Sequence, residues 1–224
     1  PNGNIMPRVG FRETLEKMAE YLSQKNQPQG ENRGRGIACG FWNGGIGTHG
    51  AYVHVNEDAS VNIVLGITDI SGSLTSIAQI AAEEFSLPFD KIKVVTGNTD
   101  TAPWATISAG SRTVYYAAIA VYKACRDVKA QLISRAADKL GVDPSEIDFT
   151  RGLLQVKDDP NKSVSFAELA ASAVAMGGPG PVVGSGSSGE ISPEPTLSVH
   201  CTDVEVDRET GKVKILSYAV AQDV

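Results

Sequence analysis

The chain has 224 residues, of which 42% are hydrophobic and 21% are charged, so it can form a packed core and is not expected to be disordered. The formal net charge of −6 argues against nucleic acid as the main partner, and no apolar run is long enough to span a bilayer. The cysteines, Cys39, Cys125 and Cys201, form no CxxC pair, which predicts neither a zinc site nor a disulfide framework and favours a cytoplasmic protein.

The N-terminal half of the chain predicts a helix, a hairpin, a second helix and a short strand. A loop is expected over residues 1–10. Apolar residues recur at helical spacing over residues 11–22 and again over 74–85. Two β-branched runs flank a turn within residues 51–70, and a short strand follows at residues 92–95.

A cluster of seven glycines lies between residues 34 and 50. The segment Gly34–Gly40 resembles the GxGxxG dinucleotide fingerprint, but it has one residue too many before its last glycine. An extended run follows it where the fingerprint requires a helix. The glycines are therefore expected in strands that another backbone approaches closely.

The C-terminal half begins with the longest helical pattern, residues 111–140, which Gly141 ends. Short strands are predicted at residues 147–150 and 153–156, and a capping box at Ser165 opens another helix.

The last part of the chain is rich in glycine and then in alternating residues. Gly184–Gly189 is predicted to be a flexible loop, and a final hairpin pairs residues 197–207 with 212–222. The chain stops within the alternating run Ile215–Val224, which we interpret as truncation at the C-terminus of a longer protein.

These patterns predict an α+β fold with mixed and antiparallel twisted sheets, covered by helices in one or two lobes. Residues 1–33 are assigned to an N-terminal helix and connector. Residues 34–224 form the main α+β region, with a boundary near residue 142 if there are two lobes, 34–142 and 143–224.

The stretch from Gly97 to Thr113 organises the rest of the chain. Its first part, Gly97–Asp100, has the residues of a turn. Its last part, Ala109–Thr113, places small residues and an arginine at the start of the longest helix. This arrangement fits an anion-binding helix terminus, with Arg112 as a bidentate partner for phosphate, or an ordinary serine-capped helix.

Familiar catalytic sets do not occur at recognisable spacing. The histidines, His49, His54 and His200, are expected to be structural, and Glu83 and Glu84 are expected to face solvent. The sequence therefore offers neither a catalytic nor a metal-binding residue.

The ordered set of motifs resembles the molybdopterin-binding part of the xanthine dehydrogenase/aldehyde oxidase family. The resemblance rests on Asp69–Gly72, Ala78–Glu83, Gly97–Pro103 and Ala109–Thr113, with the final hairpin after them, and it covers nearly all of the chain from Gly34. It implies a fragment of a molybdenum hydroxylase large subunit, an oxidoreductase that hydroxylates an aldehyde or N-heterocycle with oxygen derived from water.

The resemblance also implies cofactors and partners. The full enzyme would hold molybdenum on molybdopterin, in some members extended by a cytidine dinucleotide, with Fe–S clusters and FAD on other domains or subunits. The expected partners are the remainder of the large subunit, those electron-transfer domains and a small-molecule substrate. The fragment alone is expected to be inactive.

One departure from the family pattern leaves an alternative open. Many members carry Gly-Gln-Gly where this chain has Ser71-Gly72-Ser73, so a glutamine that contacts the cofactor is missing. A cofactor-free structural or assembly module of the same fold would suit this change. The residues predicted to bind the cofactor are Ser71, Gly72, Ser73, Thr75, Ala109, Gly110, Ser111, Arg112 and Thr113.

Overall fold

The computed structural model describes residues 9–189 and 195–223. The predicted N-terminal loop therefore lies almost wholly outside the described residues. Within them the helices are α1 (Phe11–Ser23), α2 (Ser73–Phe85), α3 (Thr113–Leu140) and α4 (Phe166–Val174). The strands are β1 (Arg33–Trp42), β2 (Gly50–Val55), β3 (Val61–Leu65), β4 (Ile92–Val95), β5 (Ile147–Thr150), β6 (Leu153–Val156), β7 (Asp159–Ser165), β8 (Val182–Ser187), β9 (Thr196–Val206) and β10 (Val213–Asp223). The predicted α+β class is confirmed.

Two compact units make up the chain. The first consists of Pro1–Gly44 with Ser192–Val224, and the second is the continuous stretch Gly45–Ile191. This division differs from the predicted boundary near residue 142. The reason is that strands and helices from both sides of residue 142 share one hydrophobic core in the second unit.

The first unit is an antiparallel sheet in the order β1-β9-β10, and α1 packs on it. Strands β9 and β10 form the predicted hairpin, and the register shifts by one residue at a bulge between Ile215 and Ser217. Met18 of α1 packs with Val199 and Cys201 of β9 in a small core, which is why the helical pattern over residues 11–22 is amphipathic.

The second unit is built on a four-stranded sheet in the order β4-β3-β2-β8. Strands β2 and β3 form the predicted hairpin, whereas β3 and β4 are parallel because α2 crosses between them. Helices α2 and α3 pack against each other, and their apolar faces belong to the main core. A meander of β5, β6 and β7 forms a separate small sheet in this unit.

The prediction of a flexible loop at Gly184–Gly189 is wrong over most of its length, because residues 182–187 form strand β8. A Cβ on Gly184 would lie 2.5 Å from the carbonyl oxygen of Ala124, and one on Gly186 would lie 2.1 Å from that of Ala120. The glycines are needed here because the backbone of α3 lies directly on the strand.

The outer edge of β8 is closed by side chains of α3. Asp127 accepts a hydrogen bond from the Ser185 N–H at 3.1 Å, and Gln131 donates to the Val183 carbonyl at 2.7 Å. Arg135 donates to the Gly180 carbonyl just before the strand, at 2.7 Å. These three residues, the edge-closing side chains, are spaced four apart and therefore lie on one face of the helix.

Candidate functional site

The candidate site lies where two helices begin. Strands β3 and β4 run parallel, and each is followed along the chain by a helix, α2 after β3 and α3 after β4. The two helix starts therefore meet beyond the carboxyl ends of the strands, which is where open α/β arrangements commonly bind ligands. The sequence predicted that the two helix starts follow strands that run in the same direction, and the parallel pairing of β3 and β4 agrees with this.

A cavity of about 410 Å³ opens between the two helix starts. Ile70 and Ser73 line it from the side of α2. From the side of α3 it is lined by Ser108, Ala109, Ser111, Thr113 and Val114. Four of the nine predicted residues thus line the same cavity, namely Ser73, Ala109, Ser111 and Thr113. Three further lining residues, Ile70, Ser108 and Val114, were not predicted, and only their neighbours in sequence could have indicated them.

Both helices start after two consecutive residues in the left-handed region. Before α2 these are Ser71 (φ 54°) and Gly72 (φ 79°), and before α3 they are Gly110 (φ 65°) and Ser111 (φ 61°). A left-handed serine is uncommon and is stable only when its surroundings hold it. The pair directly precedes the first residue of α2, whereas the N-cap Arg112 (φ −101°) separates the pair from the first residue of α3.

The start of α2 differs from the prediction of free N–H groups. The Ser73 N–H donates to the Ile70 carbonyl at 3.2 Å, and the Thr75 N–H donates to that of Gly72 at 3.0 Å. A carboxylate oxygen of Asp69 accepts from the Leu74 N–H at 3.2 Å. Ser73 is 3% exposed, and its hydroxyl donates to the same Asp69 oxygen at 3.1 Å. The positive end of α2 already has an anionic partner.

The start of α3 is more open. Arg112 is the N-cap, but its side chain makes no capping hydrogen bond. Among the described residues, the N–H groups of Thr113 and Val114 make no hydrogen bond. The helix is 28 residues long and its first turn contains no acidic residue, so this terminus retains its capacity for an anion.

Arg112 does not line the cavity in the described part of the chain. Its Nε donates to the Ala109 carbonyl at 2.6 Å, and one terminal nitrogen donates to the Ile46 carbonyl. The prediction that Arg112 binds phosphate is therefore not reflected in its present contacts, which are with protein backbone. Nothing in the local sequence indicated Ile46, since it lies 66 positions away.

His49 lies in the same unit and is 1% exposed. Its ring stacks on Tyr116 of α3, with centroids 6.2 Å apart, and neither ring nitrogen has a hydrogen-bond partner among the described residues. Burial, and then the charge of Arg112, lower the pKa of His49 from its ordinary value, so the ring is neutral at pH 7. The sequence predicted a structural role for His49 but gave no sign that its ring nitrogens would be buried without a hydrogen-bond partner.

Other predicted features have ordinary roles. In the Gly97 turn, Asn98 accepts the Asp100 N–H at 2.9 Å, as turn chemistry predicts. Glu83 is exposed as expected, but Glu84 is partly buried and pairs with Lys129 at 3.5 Å. His54 and His200 bond to Asn62 and Tyr218, respectively.

Neither a metal centre nor a membrane span is found in the described ranges. Over residues 9–189 and 195–223, no three His, Cys, Asp or Glu side chains come together as metal ligands. Over the same residues, the helices are too short or too polar to cross a bilayer.

The class of protein follows from comparison with known families. Residues 6–224 match the model of the family described as "Molybdopterin cofactor-binding domain". The chain belongs to this family, so the predicted resemblance is confirmed.

Curated proteins similar to the chain include an aldehyde oxidoreductase subunit and a carbon monoxide dehydrogenase large chain. The aldehyde oxidoreductase molybdenum-binding subunit PaoC of Escherichia coli (strain K12) is 29% identical over 202 residues, which cover 86% of this chain and 26% of the relative. The carbon monoxide dehydrogenase large chain of Hydrogenophaga pseudoflava is 29% identical over 160 residues, which cover 70% of this chain and 20% of the relative.

A solved structure, reconstituted CO dehydrogenase from Oligotropha carboxidovorans, superimposes with a TM-score of 0.79 at 24% identity. It covers 93% of this chain, and the match spans 28% of the solved chain. This similarity supports the fold. The chain spans about a quarter of the length of the curated relative from Escherichia coli.

Proposed function

We propose that the chain forms part of the cofactor-binding region of a molybdenum hydroxylase large subunit, and that it holds the anionic end of a molybdopterin cofactor at the start of α3. The observation that carries this proposal is the cavity between the starts of α2 and α3 in a chain of the molybdopterin-binding family. The anionic end is the phosphate or, in the cytidine dinucleotide form, the pyrophosphate.

The residues at the cavity fit such a group. Ser108, Ser111 and Thr113 bring hydroxyl groups to its wall, and the side chain of Ala109 leaves room beside them. The open N–H groups at the start of α3 add the donors and the dipole that favour an anion by about 0.3–1 kcal/mol. No cluster of three metal-ligating side chains occurs in the described ranges, so this region would contact the organic part of the cofactor.

The chain's own residues would bind and orient the cofactor. Ser73 would shape the wall opposite α3, because its buried hydroxyl is fixed by Asp69. The hydroxyls on the side of α3 would donate to phosphate oxygens. When bound, the cofactor supplies the chemistry that hydroxylates an aldehyde or N-heterocycle and takes up the electrons. We assign no catalytic residue to this chain.

The proposal extends to partners and location. Relatives are described as subunits or large chains of an enzyme, such as the molybdenum-binding subunit PaoC and the carbon monoxide dehydrogenase large chain. We infer that this chain works with the remainder of a large subunit, with Fe–S and FAD domains or subunits and with a small-molecule substrate, in the cytoplasm.

A cofactor-free structural or assembly module is the second candidate. The start of α2 favours it, because its first N–H groups are already bonded and Asp69 neutralises the helix end. In that case the cavity would be a packing defect without a ligand. Cofactor content separates the two candidates.

The test is Ala109→Leu in the full-length protein, because a larger apolar side chain fills the cavity beside the hydroxyls. We expect molybdenum and released nucleotide, each measured per mole of folded protein, to fall by about tenfold or more, the loss of about 1.4 kcal/mol of binding.

The matched control is Thr101→Leu, since Thr101 is exposed in the same loop and does not line the cavity. The control is expected to keep its cofactor. Full cofactor content in a folded Ala109→Leu protein would contradict the proposed function and favour the module.

A further inference from the structure

We propose that Arg112 is a positioning residue. Its contacts hold the loop Gly45–Gly47 against the turn Gly110–Ser111 and so fix the part of the cavity wall that Ser111 forms. This inference concerns contacts of Arg112 within the chain, and it goes beyond the proposed function, which gives the arginine no role.

The guanidinium group joins two separate loops. Through Nε it holds the Ala109 carbonyl at 2.6 Å, within its own turn. Through a terminal nitrogen it holds the Ile46 carbonyl of the glycine-rich loop. A planar fork with fixed donors is suited to bridging two carbonyls, and a lysine ammonium cannot reproduce that geometry.

The loop is shaped to receive this group. A Cβ on Gly45 would lie 2.6 Å from Nε of Arg112, and one on Gly47 would lie 3.2 Å from Cδ of the same side chain and 2.3 Å from Thr106. Glycines at positions 45 and 47 thus let the backbone lie flat against the arginine.

The loop in turn holds the strained residues. The Gly45 N–H donates to the Gly110 carbonyl at 2.6 Å. Gly110 and the following Ser111 both have positive φ, a conformation that persists only when neighbouring contacts impose it. Ser111 lines the cavity and Arg112 does not, so the contacts of Arg112 act on the cavity through the conformation of this turn.

The contacts of this loop and of Arg112 also affect the neighbouring residue His49. Thr48 accepts the Thr106 N–H at 3.1 Å, and the backbone of His49 exchanges hydrogen bonds with Ser188, so the loop continues directly into a buried segment. The Arg112 guanidinium is the charged group that acts on the imidazole. Release of the loop should therefore also change the environment of the imidazole.

The test compares Arg112→Ala with Arg112→Lys, by hydrogen–deuterium exchange of backbone amides and of the histidine C2 proton, both read by mass spectrometry. We expect amide exchange over residues 45–47 to rise by about tenfold or more in both variants, because neither keeps the two-carbonyl bridge.

The two variants should differ at His49. In Arg112→Ala the pKa of His49 should rise toward its ordinary value of about 6.5, since both the positive charge and part of the burial are lost. In Arg112→Lys the charge remains, so the rise should be smaller. A residue that merely stabilises the fold would not separate the two variants in this way.

A third variant keeps the arginine. Gly45→Ala should displace the guanidinium and raise loop exchange like Arg112→Lys, which covers the case in which Arg112→Ala does not fold. The matched control is Arg126→Ala, because Arg126 is exposed on the same helix and bonds to no other described residue. It should leave loop exchange and His49 unchanged.

Unchanged exchange over residues 45–47 in the folded variants would overturn the inference, whatever the cofactor content. Addition of inorganic pyrophosphate to the wild type should not loosen the loop. A rise in loop exchange on that addition would overturn the inference, since it would show Arg112 leaving Ile46 for the anion. The inference and the proposed function can also be told apart. If the full-length protein holds no cofactor but its Arg112 variants still show faster amide exchange over residues 45–47, the inference stands and the proposed function fails.

Discussion

Arg35 and Asp203 form the least exposed of the ion pairs among the described residues, with side-chain exposures of 9% and 14%. The guanidinium donates twice to the carboxylate, at 2.7 and 2.9 Å, and also to the Asn26 carbonyl. The hydrogen bonds and charge of Arg35 hold the pKa of Asp203 below its ordinary value. This pair ties the end of the α1 segment to the sheet of the first unit.

The pair predicts acid sensitivity. Because the folded-state pKa of Asp203 is depressed, its contribution to stability is complete above the unfolded-state pKa of about 3.9 and is lost as the pH falls through the folded value. We expect the free energy of unfolding of wild type to drop more steeply below about pH 4 than that of Asp203→Asn, measured by urea unfolding from pH 2 to 7.

The control for this prediction is Asp158→Asn, since Asp158 is exposed. It should retain the wild-type slope in acid. If the free energy of unfolding changed equally with pH in wild type and in Asp203→Asn, the prediction would be wrong, because the ion pair would then make no pH-dependent contribution to stability.

At the site, residue types were predictable and their partners were not. Small residues and hydroxyls at positions 109–113 suggested a helix start near a ligand, and several of them do line the cavity. The partners of Arg112 and Asp69 depend on loop geometry, which residue type does not encode. Ile46 meets Arg112 only because the glycine loop folds back over the turn.

At the scale of elements, the glycine and serine run of β8 shows how composition can mislead. Glycine and serine are common in flexible linkers, so residues 184–189 were predicted to be a loop. In the fold, two of the glycines lie against α3, about sixty positions away in sequence. Elements with a strong internal pattern, such as α3 and the hairpins, were predictable because their periodicity is local.

Because β8 packs closely on α3, a single methyl group added to a glycine of the strand is predicted to lower the stability of the fold strongly. Gly186→Ala would place its Cβ 2.1 Å from a helix carbonyl and 2.6 Å from the Ala124 nitrogen, and backbone atoms cannot move aside cheaply. We expect the free energy of unfolding to fall by about 3 kcal/mol, measured by urea denaturation.

The matched control is Gly36→Ala in β1, where a Cβ would meet no atom within 4 Å. It should change stability by less than about 0.5 kcal/mol. A small effect at Gly186 would mean that α3 and β8 can separate without loss of stability.

At the scale of the whole molecule, the family assignment and the length of the match give a further prediction. The chain corresponds to 26% of the length of the Escherichia coli (strain K12) relative PaoC. We expect the isolated 224-residue chain to fold but to show no oxidoreductase activity.

This is checked with an aldehyde or a purine and an artificial electron acceptor, alongside the full-length protein as the positive control. Turnover by the isolated chain above the rate of a heat-denatured sample would contradict the prediction.

The edge-closing side chains of α3 also set the width of the sheet in the second unit. Asp127 and Gln131 occupy hydrogen-bonding groups of β8 that another strand would otherwise use, and Arg135 occupies the Gly180 carbonyl just before the strand. The sheet therefore ends at β8 although the strand itself carries neither a proline nor a charge. An insertion of two residues between Asp127 and Gln131 would rotate the later part of the helix by about 200°, which would turn Gln131 and Arg135 away from the strand. The exposed edge would then be free to pair with a strand of a second molecule, so the phase of one helix protects this unit against aggregation.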